Sequence, residues 1–345
     1  MKTVAAILVE TGRPLAIEDL EIPKLAPGQV LVEMAYSGVC HTQLLECNGY
    51  RGADPFLPHC LGHEGSGTVL EVGAGVRKVK VGQRVILSWI KGTGADVPGT
   101  VYEWNGHKVN AGGVTTFSQY TVVSENRLTI LPDTIGLSDG AFLGCAVPTG
   151  VGAVLNTATL RPGNSLAVFG VGGVGSFAVA GACLSGAYPI VAIDLRKERL
   201  KTAERIGATH CIDATEHNSL EEIHKIFPRG VDVAIECSGQ TTVMEMALSA
   251  VRSQGGIAVI VGNAKHGRNM KINPKELNSG KQLRGTWGGD SIPDRDFERY
   301  ARLIASRSLT FDWLQDEPYS LLNVNQAISD LEQGKTLRPL LKMVA

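Results

Sequence analysis

One glycine-rich turn constrains the fold of this chain more than any other feature. The run G-V-G-G-V-G at 170–175 matches the pattern G-x-G-x-x-G, follows the apolar segment 165–169 and opens a further apolar segment. In this pattern Gly170 permits the tight turn, Gly172 lets the backbone approach a pyrophosphate, and Gly175 lets a helix pack on a strand. The free N–H groups at the start of such a helix bind phosphate. The turn therefore predicts a dinucleotide site.

An acidic residue supports the same site. Asp194 lies 19 residues beyond Gly175, at the end of the next predicted strand, 189–194. A carboxylate at this position accepts hydrogen bonds from the ribose hydroxyls and repels a 2′-phosphate. We therefore expect NAD rather than NADP, although Arg196 follows closely and offers a charge that suits a 2′-phosphate.

The hydrophobic pattern divides the chain into two kinds of segment. Residues 28–130 contain short strands broken by Gly and Pro, which indicates a small barrel. Strands then alternate with helices, as in a parallel sheet with helices on both faces. The segments that read as strands are 165–169, 189–194, 231–237, 256–261 and 283–287, with a helix at 196–206.

Helical spacing returns near the end of the sequence, at 294–306 and again at 324–333. The expected fold class is α/β, with a doubly wound Rossmann parallel sheet inserted in a discontinuous, β-barrel-like domain. We assign the nucleotide domain to residues 148–287 and the barrel domain to residues 1–147 and 288–345.

The composition excludes several classes of function. Lys plus Arg (33) and Asp plus Glu (34) nearly balance in 345 residues, which argues against a nucleic-acid surface and against disorder. No run approaches 18 apolar residues, so no membrane span is expected. The seven cysteines are an odd number, and no secretory pattern is present at the start, so we expect a reduced, cytoplasmic protein.

Two cysteines and one histidine form a candidate metal set. Cys40, His63 and Cys145 are well separated in the sequence. Two thiolates and one imidazole leave the fourth position of a tetrahedral zinc open, as a catalytic zinc requires and a structural zinc does not. Each residue also has an ordinary explanation, because free cysteines are often buried in cores.

Several motifs occur together in a characteristic order. These are G-V-C-H-T at 38–42, G-H-E-G-S-G at 62–67, T-F-S-Q-Y-T-V-V at 116–123, G-C-A-V-P-T-G at 144–150 and V-F-G-V-G-G-V-G at 168–175. With them the chain resembles the zinc-dependent medium-chain alcohol dehydrogenases over nearly its whole length. The nearest pattern is the glutathione-dependent formaldehyde dehydrogenase branch. The resemblance implies a GroES-like barrel domain, a catalytic zinc, NAD, and a homodimer, with a tetramer left open.

The resemblance also implies roles for individual residues. It makes Cys40, His63 and Cys145 the zinc ligands, Glu64 a carboxylate beside them, and Thr42 the hydroxyl that takes the substrate proton. It implies that His41 and Arg338 contact the pyrophosphate, that Thr149 and Val174 pack on the nicotinamide, and that Trp89 is an aromatic wall beside the substrate.

Three departures from the family pattern matter. Gln43 stands where an Asp usually orients the histidine ligand, so the basicity of that ligand should fall. Leu45 replaces a histidine that relays the proton, which leaves the ribose hydroxyl and His41 as the expected route. Residues 90–115 lack the four cysteines of a structural zinc, so we expect one zinc per chain. The other cysteines have no paired spacing and are interpreted as packing residues: Cys47, Cys60, Cys183, Cys211 and Cys237.

One position near the candidate metal set carries the opposite charge to that in the formaldehyde dehydrogenase branch, which bears on the choice of substrate. Arg51 lies eleven positions after Cys40, where the formaldehyde dehydrogenase branch carries an acid that helps to hold glutathione. A guanidinium suits phosphate or carboxylate, so one hypothesis is an anionic alcohol or aldehyde, with Lys91 as a second contact. The other interpretation is that Arg51 is a solvated loop residue.

The expected function is a zinc- and NAD-dependent alcohol dehydrogenase that acts on a small alcohol, expected to be primary, with an aldehyde product. One alternative is a glutathione-dependent formaldehyde dehydrogenase. Others are a zinc-free quinone or enone reductase of the same superfamily and a non-catalytic protein that binds NAD. The Cys40, His63 and Cys145 set argues against the last two.

Overall fold

The computed structural model describes residues 1–314 and 316–343, which form two compact units. The first, here called the barrel unit, comprises the described residues of Met1–Cys145, Ile292–Arg307 and Leu314–Ala345. The second, the sheet unit, comprises Ala146–Ser291 and Ser308–Trp313. The sheet unit thus begins and ends slightly outside the expected range 148–287. It also includes the short segment 308–313, which the sequence reasoning placed in the barrel domain.

The first part of the barrel unit is rich in strands. The strands are β1 (Lys2–Leu8), β2 (Ala16–Glu21), β3 (Gln29–Gly38), β4 (His59–Cys60), β5 (Glu64–Val72), β6 (Arg84–Ser88), β7 (Val101–Trp104), β8 (His107–Asn110), β9 (Tyr120–Ser124) and β10 (Leu128–Ile130). The helices are α1 (His41–Cys47) and α2 (Leu137–Phe142). Strands β1, β2, β7, β8 and β4 close into a small barrel.

Strand β1 shows why this region folds around two cores. Side chains alternate across a strand. Ala5 and Ile7 therefore enter the interior of the small barrel, while Ala6 and Leu8 enter the larger core of the barrel unit. The hairpin β7–β8 occupies the region where the four-cysteine lobe is missing. It turns at Asn105 and Gly106, whose φ values of 50° and 80° suit a two-residue hairpin of type I′.

The sheet unit alternates helices with parallel strands. Its elements are α3 (Ala146–Gly152), β11 (Leu166–Phe169), α4 (Gly173–Leu184), β12 (Ile190–Asp194), α5 (Lys197–Ile206), β13 (His210–Asp213), α6 (Ser219–Ile226), β14 (Val233–Glu236), α7 (Thr241–Ala250), β15 (Ile257–Ile260), α8 (Pro274–Asn278) and β16 (Gln282–Gly285). The strand order β13-β12-β11-β14-β15-β16, with every pair parallel, is that of a doubly wound dinucleotide fold.

Both faces of this sheet are covered. In β11, Leu166 and Val168 belong to one apolar cluster, and Ala167 and Phe169 belong to another. A strand buried on both faces reads as a continuous apolar run, which is how this strand was found in the sequence. The segment 308–313 joins the sheet unit through Phe177 of α4, whose ring contacts Phe311 and Trp313 edge to face.

The end of the described chain returns to the barrel unit. It contains α9 (Pro293–Ala305), β17 (Tyr319–Ser320), α10 (Val324–Glu332) and β18 (Leu340–Lys342). Both helices lie within a residue or so of the predicted segments 294–306 and 324–333. Short 3₁₀ turns occur at Glu125–Arg127, Gly288–Asp290 and Leu321–Asn323, and a π turn at Ala153–Thr157. Strand β18 pairs with β3, with Leu340 opposite Gly38, and so brings the residues before β18 beside the candidate metal set.

Candidate active site

The three candidate metal ligands lie together in the barrel unit. Cys40 follows β3 and precedes α1, His63 lies between β4 and β5, and Cys145 follows α2. Their ligand atoms are all within 4.8 Å of one another. Two sulfurs bound to one tetrahedral zinc at 2.3 Å stand roughly 3.8 Å apart. The set therefore has the composition and the spacing that a zinc ion needs, with one position left for another ligand.

Electrostatics favours a negatively charged thiolate at this site. The Cys145 thiol donates a hydrogen bond to Cys40, which, against the effect of burial, holds the pKa of Cys40 well below its usual value. The same contact, together with burial, raises the pKa of Cys145. The nearby charge of Arg338 also stabilises the Cys40 thiolate. A thiolate beside an imidazole is a donor set that binds zinc well.

Gln43 contacts the His63 ring at Nδ1, the nitrogen that faces away from the candidate metal position. Its Nε2 lies 2.7 Å from Nδ1 of His63, and its Oε1 accepts the backbone N–H of Cys40 at 2.8 Å. Because Gln43 occupies Nδ1, Nε2 is the ring nitrogen left to bind a metal. Burial alone would lower the pKa of His63, but the hydrogen bond and the negative charge of Cys40 raise it.

A buried ion pair lies beside the set. Glu64 is fully buried, and its Oε1 lies 2.7 Å from Nε and 2.5 Å from Nη2 of Arg338. A Cβ at Gly38 would lie 2.0 Å from this oxygen, so the pair requires glycine at that position of β3. Burial alone would lower the pKa of Arg338, but the negative charges of Cys40 and Glu64 outweigh burial and raise it, so the guanidinium stays charged. Its expected contact with a pyrophosphate stays a prediction.

The structure places two further candidates close to the ligands. Thr42 is half-buried, and its Oγ1 lies 3.6 Å from Sγ of Cys40. Trp89 follows β6, is half-buried, and donates its backbone N–H to the carbonyl of His63 at 3.1 Å. His41 begins α1 and is exposed. The position of Thr42 suits the hydroxyl that takes the substrate proton, and that of Trp89 suits an aromatic wall beside the substrate. Both roles stay predictions.

In the glycine-rich turn of the sheet unit, a different structural feature explains each of the three glycines of the pattern. Gly170 has a φ of 83°, which favours glycine. A Cβ at Gly175 would lie 1.9 Å from the carbonyl oxygen of Gly170, so helix and strand pack without room for a side chain. A Cβ at Gly172 would meet nothing nearer than Nη1 of Arg199 at 3.7 Å. The space above Gly172 therefore fits the pyrophosphate of a dinucleotide.

Asp194 ends β12 and is fixed by the backbone. Its Oδ2 accepts the N–H of Val171 at 2.9 Å and its Oδ1 accepts the N–H of Arg196 at 3.0 Å. Each oxygen keeps acceptor capacity for a ribose hydroxyl. Sequence reasoning missed Arg199, whose Nη1 lies 3.7 Å from Oδ2 of Asp194. The sequence feature that could have identified Arg199 is a basic residue in the first turn of the helix after Asp194, which is α5.

Thr149 and Val174 lie in adjoining elements of the sheet unit, and both are half-buried. Helix α3 approaches the first turn of α4 so closely that a Cβ at Gly150 would lie 2.5 Å from the carbonyl oxygen of Val174. Glycine at 150 therefore allows the two candidates for packing on the nicotinamide to come near each other. Their role stays a prediction.

A cavity of about 620 Å³ opens in the barrel unit. Gln43 and His63 line it, together with Arg51 and several polar residues that sequence reasoning did not single out: Glu46, Asp54, His59 and Asn110. Arg51 is more than half exposed and forms an ion pair with Glu46 at 2.5 Å. Lys91, the second basic residue considered, pairs with Asp96 at 2.6 Å. Both cations of the anionic-substrate hypothesis thus have carboxylate partners within the protein.

The remaining cysteines fall into two groups. Cys47 and Cys60 are buried, and burial raises the pKa of both thiols to about 12. Cys183 and Cys211 are exposed as whole residues, but Sγ of Cys183 lies 3.5 Å from the carbonyl oxygen of Ile206 and Sγ of Cys211 lies 3.4 Å from that of Leu200, so their interpretation as packing residues stays a prediction. Each lies at the edge of a buried element, where apolar neighbours in the sequence do not reveal its exposure. Cys237 is partly buried.

Known proteins are similar to this chain over nearly its whole length. Residues 26–133 match the family model described as alcohol dehydrogenase GroES-like domain, and residues 173–306 match zinc-binding dehydrogenase. The S-(hydroxymethyl)glutathione dehydrogenase of Synechocystis sp. is 33% identical over 367 residues, covering 98% of this chain and 99% of that protein. Among the helices of the described residues, none is long and apolar enough to cross a membrane.

Solved structures agree over the full length. An alcohol dehydrogenase zinc-binding domain protein from Burkholderia ambifaria is 30% identical with a TM-score of 0.91. Benzyl alcohol dehydrogenase from Acinetobacter calcoaceticus is 28% identical, also with a TM-score of 0.91. Each comparison covers 100% of both chains.

Proposed function

The chain belongs to the zinc-dependent medium-chain alcohol dehydrogenases, and we propose that Cys40, His63 and Cys145 hold its catalytic zinc. It is an NAD-dependent alcohol dehydrogenase, which moves a hydride between an alcohol and NAD. The observation that carries the metal assignment is the convergence of two thiols and one imidazole within 4.8 Å. That donor set also argues against the zinc-free reductases of the superfamily.

The cofactors supply the reactive chemistry, since zinc polarises the alcohol oxygen and makes its proton easier to lose, while NAD accepts the hydride. The protein orients the alcohol and excludes water. Thr42, beside Cys40, relays the alcohol proton, since its hydroxyl takes that proton as it gives up its own. Trp89 limits the space beside the ligands, which suits a primary alcohol. Glu64 is paired with Arg338 and holds charge near the site rather than acting as a general base.

The nucleotide is held by the sheet unit in this proposal. The N-terminus of α4 and the backbone at Gly172 take the pyrophosphate, and Asp194 takes the adenosine ribose. Thr149 and Val174 pack on the nicotinamide. His41 and Arg338 would add contacts to the pyrophosphate, and His41 would carry the proton onward, because Leu45 offers no relay.

A pair of cysteine variants tests the metal assignment. Cys40→Ala should lose both bound zinc and the formation of NADH, measured as metal content and as absorbance near 340 nm. Cys47→Ala is the matched control, because Cys47 is a buried cysteine at the other end of the same helix. It should keep one zinc per chain. A Cys40→Ala protein with normal zinc content and turnover would contradict the proposal.

A glutathione-dependent formaldehyde dehydrogenase is the second candidate, because the Synechocystis relative is an S-(hydroxymethyl)glutathione dehydrogenase. NADH formation from formaldehyde with and without glutathione distinguishes the two. A strict requirement for glutathione would favour the second candidate. We further propose a homodimer in the cytoplasm. Light scattering after gel filtration tests the dimer against a tetramer, and fractionation of cells tests the compartment.

A further inference from the structure

A buried carboxyl group ends β14, an interior strand of the sheet unit. Glu236 is fully buried, and its backbone lies opposite Phe169 of β11 on one side and Ile260 of β15 on the other. Glutamate is rarely buried so completely without a partner, because removing a charge from water is costly. The reaction described above gives this side chain no role, so its position needs another explanation.

One oxygen of Glu236 holds the turn that follows its own strand. Oε1 accepts the backbone N–H of Ser238 at 2.7 Å, the hydroxyl of Ser238 at 2.5 Å and the backbone N–H of Gly239 at 2.9 Å. The Ser238 hydroxyl also accepts the backbone N–H of Gln240 at 3.2 Å, just before α7 begins. Ser238 itself is exposed. A turn at the surface is therefore fixed from inside the sheet by one carboxyl oxygen.

The other oxygen of Glu236 faces the turn that follows the neighbouring strand β15. A Cβ at Gly262 would lie 2.8 Å from Oε2 of Glu236 and 2.3 Å from the backbone nitrogen of Gly239. A Cβ at Gly239 would lie 2.5 Å from the carbonyl oxygen of Asn263. The backbone N–H groups of Val261 and Gly262 donate to the main-chain carbonyl of Glu236, at 2.9 and 3.0 Å. The turns after β14 and β15 thus pack against each other, and Glu236 contacts both.

These two turns lie where the fold places one half of a dinucleotide. The strand order changes direction between β11 and β14, and a dinucleotide binds at this point, across the carboxyl ends of the strands. In the proposed function the glycine-rich turn takes the pyrophosphate and Asp194 takes the adenosine ribose, which leaves the nicotinamide half to the turns after β14 and β15. A Cβ at Gly170 would lie 3.0 Å from the backbone nitrogen of Ser238. The turn held by Glu236 therefore adjoins the glycine-rich turn.

We propose that Glu236 is a positioning residue for the nicotinamide half of NAD. The side chain is fully buried and acts through the turns at 237–240 and 261–263, which it fixes in the form that receives the cofactor. Turns that are already ordered do not lose conformational freedom on binding, and such preorganisation raises affinity. The inference rests on the proposed function, because it takes the sheet unit as the NAD site.

The role of Glu236 requires an acceptor rather than a negative charge. All three hydrogen bonds to the turn after β14 end at Oε1, so the amide oxygen of a glutamine can accept them. Burial raises the pKa of Glu236, which already disfavours the charged form at this place. Leucine has a similar volume and no acceptor. Leucine at this position should therefore release the turn, and glutamine should keep it.

Calorimetry with NAD and with AMP tests this role without turnover. AMP carries only the adenosine half, so it does not reach the turns that Glu236 holds. Glu236→Leu should weaken NAD binding about 10-fold and leave AMP binding unchanged, since ordering even one loop residue on binding costs about that much affinity. Glu236→Gln should restore most of the NAD affinity. Unchanged AMP binding also shows that the sheet unit of each variant is folded.

Ser238→Ala is a second variant that leaves the core intact, because Ser238 is exposed. It removes one of the three hydrogen bonds to Glu236 and should weaken binding of NAD, but not of AMP, about 3-fold. It decides the question if Glu236→Leu does not fold.

Asp213→Ala is the matched control. Asp213 ends β13 and accepts the backbone N–H and the hydroxyl of Thr215 at 2.9 and 2.6 Å, so it holds a similar turn, but at the edge of the sheet away from β14. It should leave the ratio of the NAD and AMP dissociation constants unchanged.

Three results would overturn the role of Glu236: equal losses for NAD and AMP in Glu236→Leu, unchanged NAD binding in Glu236→Leu or in Ser238→Ala, and NAD binding by Glu236→Gln as weak as that by Glu236→Leu. Each of them leaves the proposed function standing, because the original protein still binds NAD. Absence of NAD binding to the original protein would overturn the nucleotide site of the proposed function and the role of Glu236 with it.

Discussion

The Gln43 side chain cannot form hydrogen bonds with both the Cys40 N–H and the His63 ring when His63 binds a metal through Nε2. In the structure its Oε1 accepts the Cys40 N–H and its Nε2 faces Nδ1 of His63. An amide nitrogen only donates, so Nδ1 must accept and the ring proton lies on Nε2. Metal binding at Nε2 instead places the proton on Nδ1, which then needs an acceptor. Rotating the amide by 180° provides one, but turns its N–H₂ toward the Cys40 N–H.

Gln43→Glu removes this conflict without changing the length of the side chain. A carboxylate accepts from the Cys40 N–H and from Nδ1–H of His63 at the same time. A buried donor left without an acceptor costs about 1–3 kcal/mol, and partners of a ligating histidine change metal affinity by about 10- to 100-fold. Two N–H donors offset part of the cost of burying the new charge. We therefore expect zinc to bind at least about 10-fold more tightly, which is about 1.4 kcal/mol.

Transfer of zinc to a coloured chelator measures this directly and needs no turnover. Gln43→Glu should release zinc more slowly than the original protein, at equal chelator concentration. Gln83→Glu is the matched control, since Oε1 of Gln83 also accepts a backbone N–H, that of Lys80, at 2.8 Å. It should release zinc at the original rate. Equal or faster release from Gln43→Glu would refute the donor conflict.

Three further predictions concern the cofactors. Asp194→Ser should raise kcat/KM for NADP relative to NAD, because it removes the negative charge that repels a 2′-phosphate; an unchanged ratio would contradict the role of Asp194. Gly172→Ala should weaken NAD binding in calorimetry with little change in melting temperature, whereas Gly175→Ala should destabilise the fold by about 1–3 kcal/mol, because its Cβ has no room. Metal analysis should give one zinc per chain, and two would show a structural site.

Local patterns in the sequence predicted the parts of the fold that depend on local geometry. The strand before Gly170 is buried on both faces, so its apolar run could be read without knowing its neighbours. Asp194 was found because one helix and one strand of this fold, α4 and β12, place the acidic residue about 20 residues after the glycines. The hairpin at 101–110 was not predicted, although its Asn105-Gly106 turn is a strong local signal for one.

Ion pairs between side chains on the cavity wall could not be predicted from local sequence patterns. The charge of Arg51 was visible in the sequence, but its meaning depends on Glu46, whose side chain reaches it only because α1 ends between them. The same holds for Lys91 and Asp96, five residues apart in a loop. A basic residue near a site suggests an anionic ligand only if no acid of the protein already occupies it. Pairing of this kind is set by loop conformation, so whether Arg51 or Lys91 is available to an anionic ligand follows from the folded structure and not from the order of charges in the sequence.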